Sequence, residues 1–159
     1  MTGSRGFVIG EAGHVVNILP PIDLNGGVVN SDVFSMRNYN HVSIIIQQGV
    51  IAGASTVTLE ECDDFVPTNT TAIPFAVYKE ETTDGDTLGP RVAVPATGLV
   101  MTTNNNTFYV IEVDGQELSD GRPNLRLVFS DPAASAIVGA VAVLSRARFG
   151  EVESQTEIA

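Results

Sequence analysis

Several short segments alternate between apolar and polar residues, which is the pattern of a β-strand with one buried face. Residues 56–62 place Val57 and Leu59 on one side of such an alternation, with threonine and glutamate on the other. Residues 107–113 and 124–130 repeat the pattern. We predict about eight to ten short strands, at spacings typical of sandwiches and barrels. The predicted positions are 14–19, 33–36, 41–48, 56–62, 73–79, 92–94, 99–102, 107–113, 124–130 and 137–144.

Residues 137–144 are the longest of these segments in which every position is apolar. Apolar residues on both faces are typical of a central strand that is covered on both sides. We therefore expect this segment to be fully buried. On that basis we expect Val141→Asp to abolish folding, because it would bury an unpaired charge.

Glycine and proline interrupt these segments often, with 15 Gly and 8 Pro among 159 residues. Asn25-Gly26-Gly27 predicts a tight turn, and Asp131-Pro132 predicts one helical turn with Asp131 as its N-cap. No segment shows sustained helical periodicity. The sequence predicts an all-β, single-domain β-sandwich, with an eight-stranded jelly roll as the specific arrangement. An immunoglobulin-like sandwich is the alternative, but its Cys-Trp-Cys arrangement is missing, since the chain has one Cys and no Trp.

The composition divides the chain into three parts. Residues 1–13 contain four glycines and predict a flexible N-terminal arm, residues 14–149 predict the β-sandwich domain, and residues 150–159 predict a polar C-terminal tail. We expect residues 80–90, the most hydrophilic stretch, to form a long exposed loop. The first residues lack the apolar run of a signal peptide, and the longest apolar run is about half of the roughly 20 residues that a membrane helix needs. Because Cys62 is the single cysteine, no intrachain disulfide can form, and we expect synthesis in a reducing cytoplasm without membrane insertion.

The formal net charge is −11, from 8 Lys+Arg against 19 Asp+Glu. A protein that neutralises phosphates needs a cationic face, and here the cations are scattered. We therefore expect no direct contact with nucleic acid. Strong negative charge also keeps a protein soluble before it assembles with others.

The residues that could carry chemistry are few. His14 and His41 have no second metal ligand at motif spacing, so we expect structural histidines. Cys62 precedes Asp63 and Asp64, an electronegative setting that disfavours a thiolate, so we expect an inert thiol.

The acidic residues likewise show no pattern that predicts a catalytic or binding site. We interpret the carboxylate pairs Asp63-Asp64 and Glu80-Glu81 as solvated charges, since a sugar cleft would also need aromatic platforms. The stretch 84–87 lacks most ligands of a calcium loop, although an ion in the 80–90 loop stays open. The sequons at Asn69 and Asn105 are chance matches if the chain is not secreted. We expect no catalytic, cofactor-binding or metal-binding residue, and no enzymatic activity.

Five stretches taken together resemble small virion proteins encoded in the structural-gene clusters of tailed bacteriophages. They are residues 21–27 (PIDLNGG), 40–44 (NHVSI), 109–114 (YVIEVD), 125–127 (LRL) and 143–149 (VLSRARF). The resemblance implies a head decoration (cement) protein that sits on the outer surface of the capsid, favours a trimer, and clamps the major capsid protein. It also implies that an arm such as residues 1–13 reaches over a neighbour.

Two other binding functions remain open at this point. The sequence does not separate a head decoration protein from another virion part, such as a tail or head–tail junction protein, and the number of copies per particle would. A carbohydrate-binding jelly roll for host adsorption is a further alternative, and it predicts an exposed aromatic patch, for which three Tyr and seven Phe are available.

Overall fold

The computed structural model describes residue 6, residues 8–80, residues 87–149 and residue 158. Twelve strands and two short helical turns are found in this part of the chain. The strands are β1 Gly13–Asp23, β2 Val29–Asn30, β3 Phe34–Ser35, β4 Tyr39–Ile51, β5 Thr56–Cys62, β6 Thr70–Ile73, β7 Phe75–Lys79, β8 Val92–Val94, β9 Leu99–Val100, β10 Phe108–Asp114, β11 Asn124–Phe129 and β12 Ala136–Ala147. The helical turns are α1 Ile9–Ala12 and a 3₁₀ turn at Gly115–Glu117.

The strands form two antiparallel sheets. The larger sheet has the order β1-β12-β4-β10-β7-β8, and the smaller sheet has the order β2-β11-β5-β6, with β3 also beside β11 and β9 also beside β5. Strands that follow one another in the chain therefore pass back and forth between the sheets. The sets 1-12-4-10 and 2-11-5-6 have the connectivity of an eight-stranded jelly roll, and β7 to β9 are an insertion in it. The predicted all-β, jelly-roll-like sandwich is confirmed.

One hydrophobic core lies between the two sheets. Its fully buried members come from alternate positions of strands in both sheets, as the period of two requires. They include Ile18, Ile44, Ile111 and Val138 from the larger sheet, and Val57, Leu59, Leu127 and Phe129 from the smaller sheet.

The central strand β12 lies between β1 and β4, and Val138, Ala140 and Ala142 on its inner face are buried. On its outer face Val143 is also buried, close to Gly13, whereas Val141 is partly exposed. The expectation that residues 137–144 are fully buried is therefore wrong at Val141, and the reason for expecting Val141→Asp to abolish folding is lost with it.

The predicted strand at 73–79 is two strands. β6 ends at Ile73 and β7 begins at Phe75, with exposed Pro74 between them. Proline has no N–H to donate to a ladder, so the chain leaves the smaller sheet at this residue and enters the larger one.

The predicted helical turn at Asp131-Pro132 is also wrong. The carboxylate of Asp131 accepts a hydrogen bond from the Ala133 N–H at 2.8 Å, and Ala133 has φ of 56°. This left-handed residue bends the chain instead of starting a helix. The two helical turns that do exist, at Ile9–Ala12 and Gly115–Glu117, were not predicted, since each is too short to show helical periodicity.

The predicted arm and tail can be compared with the structure only at a few residues near each end of the chain. Residues 1–5 and 7 of the proposed arm lie outside the described residues, whereas Ile9–Ala12 form a helical turn and Gly13 already belongs to β1. In the proposed tail, residues 150–157 and 159 lie outside the described residues, and Ile158 forms a bridge with Phe34. Residues 81–86 of the predicted loop are likewise not described. Neither helical turn is long and apolar enough to cross a membrane.

Asp23 joins the end of β1 to the start of β12. Its carboxylate accepts hydrogen bonds from the Ala136 N–H at 2.9 Å, the Asn25 N–H at 3.1 Å and the Ser135 hydroxyl at 2.8 Å. These bonds favour the charged form and lower the pKa of Asp23, the bond from Ala136 contributing most.

Acid is expected to weaken this junction. The pKa of Asp23 is lower in the folded state than in the unfolded state. The ionised carboxylate therefore stabilises the fold fully above the unfolded pKa of about 3.9, and this stabilisation is lost as the pH falls through the folded pKa. We predict that Asp23→Asn flattens the fall in stability below about pH 4, as measured by urea unfolding at several pH values. An unchanged pH profile in this variant would contradict the assignment.

Two substitutions on opposite faces of β12 test the fold directly. Val138→Asp buries an unpaired charge at a fully buried position and should cost at least ~4 kcal/mol, enough to leave little folded protein. Val141→Asp should cost about 1 kcal/mol, a value typical of point substitutions, and melt cooperatively. Circular dichroism melts of both proteins measure the difference. Equal losses would show that the register of β12 is wrong.

Candidate functional site

Part of the outer face of the larger sheet is apolar and is left accessible by the described chain. We call it the outer apolar face and define it by Val15, Ile45, Tyr78, Phe108, Val110, Ile137 and Val141. All seven side chains are partly or largely exposed, and Val15 keeps 48% of its surface accessible. Scattered exposed apolar residues are normal on a protein surface, but a contiguous group of them marks a binding surface.

The register of the strands makes this face contiguous. Asn17 pairs with Val141, Val141 with Ile45, Ile45 with Val110, and Val110 with Tyr78, so one row crosses five strands. Paired residues in neighbouring strands lie about 4.5–5.5 Å apart at their Cβ atoms, which lets adjacent side chains touch. The row is thus a continuous apolar stripe from Val141 to Tyr78, and the polar Asn17 lies at its β1 end.

A groove runs along one side of this stripe. It has a volume of about 290 Å³ and is lined by Pro21, Ile45, Ile137 and Val141 together with Asn17 and the neighbouring glutamines. Its mixture of apolar walls and a few amides suits a protein side chain or an apolar segment better than a charged ligand.

A histidine cluster closes one end of the face. The Nε2 atom of His41 lies 2.7 Å from Oε2 of Glu112, and its Nδ1 atom lies 2.8 Å from Oδ1 of Asp114. The Ser43 hydroxyl donates to the same Glu112 oxygen at 2.7 Å. Each ring nitrogen of His41 therefore has a carboxylate oxygen within hydrogen-bond distance.

The histidine cluster does not have the geometry of a nucleophile and its base. Ser43 donates to Glu112 and not to His41, and both ring nitrogens are already bonded to carboxylates. The sequence could not reveal the cluster, because its members are about 70 residues apart and meet only through the pairing of β4 with β10. His14 lies on the other face of the larger sheet, where it pairs with the buried Leu144. Its ring stacks on that of Tyr39, with the ring centroids 6.0 Å apart.

Cys62 lies at the end of β5 and is fully buried. Burial raises the pKa of its thiol to about 11, because a thiolate would lose its hydration there. Glu60 and Asp63 raise the pKa further, while Arg126 and Arg122 act in the opposite direction. A buried thiol of this pKa is a poor nucleophile.

The carboxylates of the predicted pairs have different surroundings in the described part of the chain. Asp63 accepts hydrogen bonds from the side chain of Asn69 at 2.9 Å and from the N–H groups of Asn69 and Thr68 at 3.1 Å each, and these bonds lower its pKa. It therefore organises its own loop, while Asp64 is exposed. Glu80 is buried and not solvated as predicted, and its Oε2 atom has no hydrogen-bond partner among the described residues. Its neighbour Glu81 is outside the described residues.

Glu61 is a buried acidic residue that the sequence analysis did not single out. It is 1% exposed and accepts a hydrogen bond from the Ser119 N–H at 2.8 Å, with Arg122 at 3.4 Å. This ties the segment before β11 to the smaller sheet. The weak calcium-like stretch falls mostly on undescribed residues, since 84–86 are among them. Among the described residues, no group of three or more histidine, cysteine or acidic side chains is arranged to hold a metal ion.

No protein-family model and no curated protein sequence matches the chain. Among solved structures, the chain is similar to a chain in the structure of the infectious bursal disease virus Gt strain, with 13% identity and a TM-score of 0.21. The similarity covers 92% of this chain and 43% of that chain, so this chain spans less than half of the viral protein's length. A likeness of this size carries no argument about function.

The state of Cys62 gives a direct chemical prediction. At pH 8 a thiol-specific disulfide reagent should label the native protein at least ~100-fold more slowly than the urea-unfolded protein, because the buried thiol is almost wholly protonated. The Cys62→Ser variant gives the background rate. Rapid labelling of the native protein would mean that Cys62 is accessible and ionised.

Proposed function

We propose that this chain is a structural protein of a tailed-phage virion, and specifically a decoration protein that binds the assembled head. Its partner is the major capsid protein, and it sits on the outer surface of the capsid as a homo-oligomer, with a trimer favoured. The sequence resemblance to small phage virion proteins supports this proposal. The jelly-roll sandwich is compatible with it, although a fold alone does not define a function.

One observation carries the proposal: the central strand β12 is apolar on both faces, and the described chain leaves Ile137 and Val141 on its outer face partly exposed. A strand of this kind normally lies between two layers. The outer row through Val141, Ile45 and Val110 therefore has the composition of a surface that a partner covers. Burial of such a surface contributes about 25 cal/mol for each Å² of apolar area removed from water.

The edges of the larger sheet favour binding through its face. The outer edge at β1 contains Pro20 and Pro21, which have no N–H to offer to an added strand. The opposite edge, β8, is only three residues long. Both features disfavour edge-to-edge pairing, so association through side chains of the outer apolar face is the better-supported mode.

The charge of the chain fits assembly after synthesis. A net charge of −11 disfavours non-specific association of free copies through mutual repulsion. Apolar contact with a complementary shell surface then provides the attraction, and binding is confined to sites whose shape matches the face.

A matched pair of valine substitutions tests the proposal. Val110→Glu places a charge in the outer apolar face, and Val128→Glu places the same charge on the outer side of β11 in the smaller sheet, where it is also partly exposed. We expect Val110→Glu to weaken binding to phage heads that lack the protein by at least ~10-fold, as at a binding hot spot, and Val128→Glu to bind like the unmodified protein. Co-sedimentation at a series of concentrations measures both affinities.

The same experiment distinguishes an error in the proposed function from an error in the proposed contact surface. If the unmodified protein, characterised first by light scattering, ignores the heads, decoration is wrong, and binding to tails or glycans becomes the next test. If it binds and Val110→Glu binds equally well, the decoration function stands but the outer apolar face is not the contact.

A further inference from the structure

A pocket lies where the outer apolar face meets the histidine cluster. We call it the tyrosine pocket; its volume is about 490 Å³, and it is lined by Tyr78, Leu88 and Val110 and by the polar residues Glu112, Ser43 and His41. Strand register brings the two kinds of residue together, because Tyr78 pairs with Val110, and Glu112 lies two residues further along β10 on the same face. Diagonal neighbours of this kind lie about 7–8 Å apart, so one small group can touch both Tyr78 and Glu112.

The carboxylate of Glu112 is held in position by its neighbours on β4. Its Oε2 atom accepts a hydrogen bond from the Ser43 hydroxyl at 2.7 Å and lies 2.7 Å from Nε2 of His41. Neither contact uses the Oε1 atom, and the Glu112 side chain keeps 30% of its surface accessible. A side chain that is already fixed loses little conformational freedom when a ligand binds to it. Glu112 therefore offers a preorganised acceptor to a ligand in the pocket.

The charges around the pocket favour a cation over an anion. Besides Glu112, the carboxylate of Asp114 lies against the other ring nitrogen of His41. Arg146 is 3.9 Å from Asp114, but its side chain is 72% exposed, and such ion pairs are weak. Arg91 lies near the same edge of the sheet, just before β8, and is not among the described residues that line the pocket. The whole chain, with a net charge of −11, also attracts a cationic partner.

A planar guanidinium group matches this arrangement better than a compact ammonium group. The face of a tyrosine ring attracts a cation within about 6 Å of its centre, and arginine is the more frequent partner. The fork of guanidinium donors also matches a carboxylate, whereas an ammonium group acts as a point charge. The methylene groups of an arginine side chain can pack on Leu88 and Val110.

We propose that the tyrosine pocket binds an arginine side chain of a partner protein, with the guanidinium group between the ring of Tyr78 and the carboxylate of Glu112. The occupant is a protein and not a saccharide, because the pocket opens onto the apolar row through Val110 and Ile45, which a sugar would leave uncovered. The choice of partner rests on the proposed function, in which the outer apolar face is the contact. The pocket adds an arginine flanked by apolar residues as a feature of that partner.

Titration of the full-length protein with N-acetylarginine amide tests the pocket without a phage head. We expect this probe to cause saturable shifts of the NMR amide signals of Tyr78, Val110 and Glu112, and the uncharged citrulline analogue to cause none. Glu112→Gln should weaken binding of the arginine probe by about 2–5-fold, as loss of a partly exposed ion pair implies. The matched control Asp64→Asn removes an exposed carboxylate from the loop after β5 and should leave the affinity unchanged.

Two substitutions of Tyr78 test the role of its ring. Tyr78→Phe keeps the aromatic face and should bind the arginine probe like the unmodified protein, whereas Tyr78→Leu keeps only apolar bulk and should bind it about 2–5-fold more weakly. Equal affinity in these two variants would overturn the proposal.

The titrations also distinguish the other occupants. The proposal is overturned if arginine and citrulline shift the signals equally, or if neither does. It is also overturned if N-acetylglucosamine shifts them and arginine does not, which would assign the pocket to a saccharide. Shifts that depend on protein concentration without any probe would assign it to a second copy. Because no heads are used, a failure of this test leaves the proposed head binding standing, and a failure of head binding leaves the arginine result standing.

Discussion

The pairing of β12 between β1 and β4 is the constraint on which the rest of the structure depends. It brings the first strand of the sandwich beside the last one, with Gly13 opposite Ser145 and Asp23 opposite Ile137, and it fixes the long strand β4 on the other side. The remaining strands of the larger sheet are added to β4. The smaller sheet is held against this unit by the shared core, into which Val138 and Ala142 project. Because these strand pairings join residues more than 80 positions apart, they can form only after a large loop has closed, which is a costly step in folding.

The same strand creates the surface that the proposed function uses. Inward residues of β12 are small or branched and complete the core, while its outward Val141 continues an apolar row across the four strands β12, β4, β10 and β7. The face is bounded by the histidine cluster at one end, and its sheet edges are protected by prolines on one side and by a very short strand on the other. The molecule thus avoids pairing through its edges while it keeps one apolar face available.

Strand positions could be predicted well from the sequence, because alternation with a period of two depends only on which face is buried. Residues 56–62 and 92–94 were predicted with the bounds that the structure has. The errors have physical causes. Pro74 divides one predicted strand because the chain changes sheets there, and Val141 is partly exposed because an apolar pattern shows that a face avoids water but not what covers it.

The candidate sites were less predictable than the strands. His41 meets Glu112 and Asp114 only through strand register, and one pocket is lined by three arginines from positions 37, 122 and 148. No motif spacing connects such residues, so their association depends on the topology. The burial of Glu61 and Glu80 could not be predicted either, because the sequence does not show whether a single acidic residue in a strand faces solvent or a buried partner.

The central claim is that the outer apolar face is the surface by which the protein joins a larger assembly. Hydroxyl-radical footprinting of the protein, free and bound to phage heads, tests it most directly. The account predicts that Tyr78 and Phe108 lose reactivity on binding, while Phe65, in the loop that follows β5 of the smaller sheet, keeps its reactivity. Protection of Phe65 with unchanged oxidation of Tyr78 and Phe108 would contradict the claim and move the contact to the opposite sheet.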